Sequence, residues 1–100
     1  MAMATLIVSY PASDGARFDR DYYVSTHIPI AIKEWTPFGL ESAEVLFPAD
    51  ATQPLAGMVL LRFASQAAID AALTAPAAGI VVGDVPNFTD IVPAIFRAGD

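Results

Sequence analysis

Hydrophobic and polar positions follow two periods along this chain, and the places where one period gives way to the other mark its elements. Thr5-Leu6-Ile7-Val8-Ser9-Tyr10 is β-branched and aromatic and stops at Pro11 and the Ser13-Asp14-Gly15 turn cluster, which predicts a first strand. Asp19 stands where a side chain can accept the first free backbone N–H groups, Asp21 adds favourable charge in the first turn, and the pattern predicts a helix to about Trp35. Thr36-Pro37-Phe38-Gly39 ends it. Leu40 to Phe47 is strand-like and leads into a polar, proline-containing loop from Pro48 to Pro54, after which Gly57 to Phe63 reads as a third strand. Ser65 is the expected N-cap of a second helix through about Ala75, with Ala68, Ile69, Ala72 and Leu73 on one face. Pro76 and Gly79 interrupt, so the residues up to Gly83 form either a short helical piece or irregular chain, and a last strand is expected from Asp90 to about Arg97.

The order β-α-β-β-α-β within 100 residues is the ferredoxin-like split βαβ arrangement, an α+β fold with both helices on one face of a four-stranded antiparallel sheet. Its usual strand order makes the second and fourth strands the edges. That suits Pro93, because proline has no ladder donor to offer. Split by their period of two, the strands are apolar on both sides: Met58, Leu60 and Arg62 oppose Val59, Leu61 and Phe63, and Ile91, Pro93 and Ile95 oppose Val92, Ala94 and Phe96. A sheet with one wet face should alternate cleanly. The second face is therefore expected to pack against a second copy of the chain in a two-fold homodimer.

Composition narrows the picture. A chain of 100 residues without a linker is a single domain over residues 1–100, and 55% hydrophobic against 16% charged residues is enough for a core with apolar surface to spare. A net charge of −6 with only five scattered basic residues argues against nucleic acid, whose phosphates must be neutralised. No stretch reaches the roughly 18 apolar residues of a membrane span, and the start Met1-Ala2-Met3-Ala4 carries no charged leader region, so a soluble, cytoplasmic protein is expected. The absence of cysteine excludes disulfides and thiolate chemistry.

Candidate chemistry gathers in Phe18-Asp19-Arg20-Asp21-Tyr22-Tyr23-Val24-Ser25-Thr26-His27-Ile28-Pro29, which holds the only histidine. Histidine alone titrates unperturbed near neutral pH. Tyr23, His27, Ile30 and Glu34 fall close to one helical stripe, and Pro29 cannot donate to the carbonyl of Ser25, so a kink or break is expected beside His27, opening a crevice walled by Tyr22, Tyr23, Trp35 and the sheet. A lone histidine on such a helix is equally what a structural, hydrogen-bonded residue looks like, and the tyrosines equally what core aromatics look like. A second cluster, Gly83-Asp84-Val85-Pro86-Asn87-Phe88-Thr89-Asp90, either aims a carboxylate or amide at the crevice or caps the last strand. A contact from His27 to Asp84 or Asp90 would raise the imidazole pKa. One histidine among dispersed carboxylates lacks metal-site spacing, and there is no dinucleotide or Walker loop and no serine-hydrolase elbow, so no cofactor and no metal is expected, with axial haem ligation by His27 as the alternative.

Tyr10-Pro11, Phe18-Asp19, Asp21-Tyr22-Tyr23, Thr26-His27-Ile28-Pro29 and Asp84-Val85-Pro86-Asn87-Phe88-Thr89-Asp90 together, in order and spacing over nearly the whole chain, resemble the EthD family. The resemblance implies a dimeric α+β barrel in which two ferredoxin-like sheets pack face to face. Its founding member is associated with ethyl tert-butyl ether degradation alongside a cytochrome oxygenase system. Similar dimeric barrels include polyketide cyclases, cofactor-free monooxygenases, muconolactone isomerases and haem-degrading enzymes, so the architecture does not fix a reaction. The expectation is a protein that binds a small, largely apolar organic molecule between the first helix and the sheet. In it His27 is general acid or base, Tyr22, Tyr23 and Trp35 shape the pocket, and Asn87, Thr89 and Asp90 orient ligand or histidine. The chemistry would be proton-transfer isomerisation, dehydration or cyclisation, or cofactor-free oxygenation; the alternative is a non-catalytic carrier or accessory to a partner oxygenase.

Overall fold

The first and third strand segments, apolar on both sides, become the two strands that are paired on both edges. β1 (Ala4–Pro11) lies antiparallel to β3 (Leu55–Phe63), and β2 (Leu40–Leu46) and β4 (Ala94–Ala98) flank them in the order β2-β3-β1-β4. This is the expected ferredoxin-like sheet, with the second and fourth strands at its edges. The computed structural model describes residues 3–99, so Met1 and Ala2 of the segment tested for a leader, and Asp100, lie outside the described residues.

Register places the faces. Leu6 opposite Leu61 and Val8 opposite Val59, with Ala43 and Val45 of β2 and Ile95 of β4 beside them, make the face under the helices. Ile7, Leu60, Met58, Leu46 and Phe96 make the other. Phe96 is 62% exposed there, so the outer face is uncovered and apolar along its middle.

β4 begins four residues later than the sequence suggests, and the reason is where the hydrogen bonds of residues 89–91 go. The Thr89 hydroxyl donates to the Arg17 carbonyl and accepts from the Ile91 N–H at 3.0 Å, while the Asp90 carboxylate accepts from the Arg17 N–H at 2.9 Å. Those groups serve the loop before the first helix instead of the β1 ladder, and Pro93 has no donor for it. Pairing starts at Ala94.

The first helix starts as predicted, with Asp19 accepting from the Tyr22 N–H at 3.0 Å, and runs without a break through α1 (Arg20–Tyr22), a π-helical segment (Tyr23–His27) and α2 (Ile28–Trp35). The expected kink at Pro29 is replaced by this wider turn, in which the Ile28 N–H reaches the Tyr23 carbonyl five residues back. The wider turn also corrects the buried stripe, which is Tyr23, His27, Ala31 and Trp35, with Ile30 and Glu34 only half-buried. Each four-residue step overshoots an α-helical turn by about 40°. Over three steps that would carry Trp35 roughly a third of a turn off the stripe, and one extra residue wound into the π segment removes most of the error.

Ser65 caps α3 (Gln66–Thr74) by accepting from the Ala68 N–H at 3.1 Å, and Ile69 and Ala72 are its buried residues. The segment left open between helix and irregular chain is helical: α4 (Pro76–Gly83) starts at the proline, whose missing N–H costs nothing in a first turn. Among the described residues no single helix is long and apolar enough to cross a membrane; α3 and the stretch from Pro76 to Asn87 reach that length only as a pair bent by 76°.

Gly39 joins the first helix to β2 at φ +109°, and a Cβ there would stand 2.9 Å from the Cβ of Ala68. Both the left-handed backbone and the contact exclude a side chain. Gly39→Ala should lower the unfolding free energy by about 1–3 kcal/mol, read as a lower urea midpoint at unchanged slope.

Candidate functional site

The π turn and the end of α4 bring one histidine and one carboxylate together. His27 is 4% exposed, and its Nδ1 lies 2.9 Å from Asp84 Oδ2. The other carboxylate oxygen, Oδ1, accepts from the Tyr22 hydroxyl at 2.7 Å and from Asn87 Nδ2 at 2.9 Å. Asp84 follows α4 and opens the 3-10 turn Val85–Asn87, and the Asn87 N–H closes that turn on the Asp84 carbonyl at 3.0 Å. Asp84 and Asn87 are thereby fixed relative to each other by their own backbone before either touches the helix.

Aromatic rings hold the imidazole from the other sides. Tyr23 stacks on it at 5.5 Å between ring centroids and 19° between planes, and Phe88 tilts against it at 4.6 Å. Tyr10 and Phe18 complete the cluster around Tyr23 and Phe88. An imidazole enclosed in this way loses water that would solvate its charge.

Burial lowers the His27 pKa and outweighs the upward pull of the Asp84 hydrogen bond and charge, so the rise expected from a carboxylate contact is reversed. For Asp84, burial pushes up, but the hydrogen bonds from Asn87, Tyr22 and His27 together hold the carboxyl below its usual range. The Tyr22 hydroxyl is raised, chiefly because it donates to the Asp84 carboxylate. At neutral pH the pair is therefore an ionised carboxylate and a neutral ring. An ionised carboxylate only accepts, so the ring proton sits on Nδ1 and Nε2 carries the lone pair.

The ring forms part of the wall of a cavity of about 110 Å³. Leu6, Val8, Tyr10, Val59 and Leu61 of the sheet make its floor, and Ile28, Ala31 and Trp35 continue the helical wall from His27. Leu73, Val81, Val82 and Val85 close the far side, and Pro93 and Ile95 stand at the β4 edge, where Val82 and Ile95 are exposed. No Lys, Arg, Asp or Glu is among these lining residues. Among the described residues no three His, Cys, Asp or Glu side chains converge as a metal site would require.

Of the residues singled out in the sequence, His27 and Trp35 line the cavity. Tyr22 and Asn87 meet at Asp84, one step behind the histidine. Tyr23 packs behind the ring in the aromatic cluster, and its hydroxyl is buried without a hydrogen-bond partner. Thr89 and Asp90 bond to the Arg17 backbone and stand apart from the histidine. The choice left between Asp84 and Asp90 falls on Asp84. The sequence marks Tyr10 only as a strand position and through the family resemblance, with no role in the site, and the aliphatic lining cannot be told from core positions in a sequence. Arg17 was also missed: its guanidinium donates to the carbonyls of Pro86 at 2.7 Å and Asn87 at 3.3 Å, anchoring the turn that carries Asp84.

The lowered His27 pKa fixes the sign of a pH effect. Below the unfolded value of about 6.5 the unfolded chain binds a proton that the folded ring resists, so stability is complete above that pH and falls as pH drops through it. The lowered Asp84 value adds a second loss in the same direction below about pH 4. The thermal midpoint should thus decline between pH 6.5 and 5 in the wild type, and His27→Gln should flatten that part of the profile while leaving the more acidic loss.

No protein-family profile matches the chain, and no curated protein does. Solved structures do. An EthD-like protein from Ralstonia eutropha JMP134 is 27% identical with a TM-score of 0.81, over 98% of this chain and 91% of that one. An ethyl tert-butyl ether (EthD) family protein from Bacillus halodurans C-125 is 17% identical at TM-score 0.76, over 98% of both chains. SnoaB, a cofactor-independent oxygenase from Streptomyces nogalater, is 10% identical at TM-score 0.67, over 98% of this chain and 94% of its own. At those identities the last two speak for the fold alone. The Ralstonia protein agrees along nearly its whole length, so the chain is similar to an EthD-like protein and has a ferredoxin-like α+β fold.

Proposed function

We propose that this protein binds a small, largely apolar organic molecule in the cavity between α2, α4 and the sheet, and that His27 acts on it as a general base. The observation that carries the reading is a neutral, carboxylate-oriented imidazole on the wall of an otherwise apolar cavity. Asp84 holds the ring in one tautomer and stabilises the imidazolium formed when Nε2 takes a proton. Tyr22 and Asn87 position Asp84, and Trp35 shapes the cavity. A volume of about 110 Å³ compares with the roughly 150 Å³ known to hold a benzene ring, so the reacting part of the ligand is one ring or its aliphatic equivalent.

Such a base supports proton-transfer isomerisation, dehydration or cyclisation. It equally supports cofactor-free oxygenation, where deprotonation makes the substrate electron-rich enough to meet oxygen. The cofactor-independent oxygenase on the same fold is in keeping with the second route. No resident cofactor belongs to this proposal, because a cavity of one ring leaves no room for a four-ring haem against His27. The outer sheet face, with Phe96 and Leu46 exposed beside Ile7, Met58 and Leu60, is proposed to close on a second copy.

Two measurements test these statements. The wild type should accelerate exchange of an acidic C–H proton into deuterated water for a neutral one-ring ketone with a populated enol form, such as a cyclic β-keto ester, followed by NMR, and His27→Gln should lose about a hundredfold or more of that rate. Binding of the ketone without exchange would replace the base with a carrier role. Sedimentation equilibrium at micromolar concentration should give twice the 10.5 kDa chain mass, and a monomeric mass would remove the dimer.

A further inference from the structure

Resting on the proposed cavity, we infer that the site selects neutral ring compounds that donate a hydrogen bond, a phenolic or enolic hydroxyl, and rejects both anions and rings that can only accept. The argument begins with the carboxylate. Asp84 Oδ2 takes the proton side of His27 Nδ1 at 2.9 Å, so the nitrogen left over, Nε2, offers a lone pair and no proton. A ligand hydroxyl can donate to that nitrogen, whereas an ether or carbonyl oxygen placed there would set two lone pairs against each other. Anions fare worse: no cationic side chain lines the cavity, and the nearest charge is the Asp84 carboxylate itself. The hydroxyl that donates to Nε2 is also the group whose proton the base would remove, so recognition and the first step of chemistry use one contact.

The tautomer can be reversed without changing shape. Asp84 Oδ1 receives two donors, the Tyr22 hydroxyl and Asn87 Nδ2, and both require an oxygen there. In Asp84→Asn the side-chain carbonyl must therefore take the Oδ1 position, which turns the amide NH2 towards His27. Nδ1 then accepts, the ring proton moves to Nε2, and the cavity presents a donor.

Three probes of similar size separate the possibilities: phenol, anisole and benzoate, titrated by NMR against the full chain in its native oligomeric state. The wild type should bind phenol about tenfold tighter than anisole, the worth of one good hydrogen bond, and should not bind benzoate. Asp84→Asn should lose the phenol preference and favour anisole, and the ring nitrogen shifts of His27 should exchange between Nδ1 and Nε2. Equal binding of phenol and anisole by the wild type, or a preference unchanged in Asp84→Asn with the nitrogen shifts exchanged, overturns the donor selection while leaving the cavity as a binding site. Failure of all three probes to bind overturns the cavity reading as well. If Asp84→Asn fails to fold, the wild-type nitrogen shifts alone decide, since a proton on Nε2 in the free protein refutes the assignment.

Discussion

The hydrogen bond between His27 and Asp84 is the contact on which the rest of the site depends. It ties the first helix to the turn after α4 and fixes which imidazole nitrogen keeps the proton. It also lets a polar ring sit in an apolar wall. Without the carboxylate, the buried Nδ1 would be a donor with nothing to satisfy it, at a cost of about 1–3 kcal/mol. Without the histidine, two donors, the Tyr22 hydroxyl and Asn87 Nδ2, would still converge on Asp84, whose side chain is only 10% exposed. The pair thus sets an ionised carboxylate, satisfied by three donors, against a neutral ring within two nearly buried side chains.

Support for that contact comes from outside the cavity. Arg17 holds the carbonyls of Pro86 and Asn87, while its own backbone is held by Thr89 and Asp90. The isolated bridge from Phe18 to Thr89 and the bond from the Asp19 N–H to the Phe88 carbonyl at 2.8 Å continue the same seam. The segment 84–90 is therefore stitched to the segment 17–19 immediately before the helix that bears His27. The conspicuous polar residues of this stretch divide their labour: Asp84 bonds the histidine with Asn87 holding it from behind, and Thr89 and Asp90 serve the seam.

The sequence made the sheet and its edges legible because strand periodicity, turn residues and caps are local signals, as Asp19 and Ser65 illustrate. It located His27 for a simpler reason, since no other histidine exists. What it could not disclose was set by long-range geometry. Whether Asp84 or Asp90 meets His27 depends on a 3-10 turn and on Arg17, neither of which leaves a periodic trace. The sign of the His27 shift depends on Tyr23 and Phe88 enclosing the ring, and burial of that kind is a property of packing. Pro29 was readable as a disturbance, but proline signals only that the α-helical ladder fails, and a wider turn absorbs that failure as well as a kink does.

That wider turn has a consequence for how the site can change over time. A π segment amounts to one residue inserted into an α-helix, and the spacing of Tyr23, His27, Ala31 and Trp35 is set to it. Point substitutions leave the count of residues untouched, so the alignment of His27 with Trp35 is sheltered from ordinary mutational drift. Loss of a single codon in this stretch would rotate everything on one side of it by about 100° relative to the other. Related chains that differ here by one residue in length should accordingly have exchanged the machinery on this wall, whatever they retain of the fold.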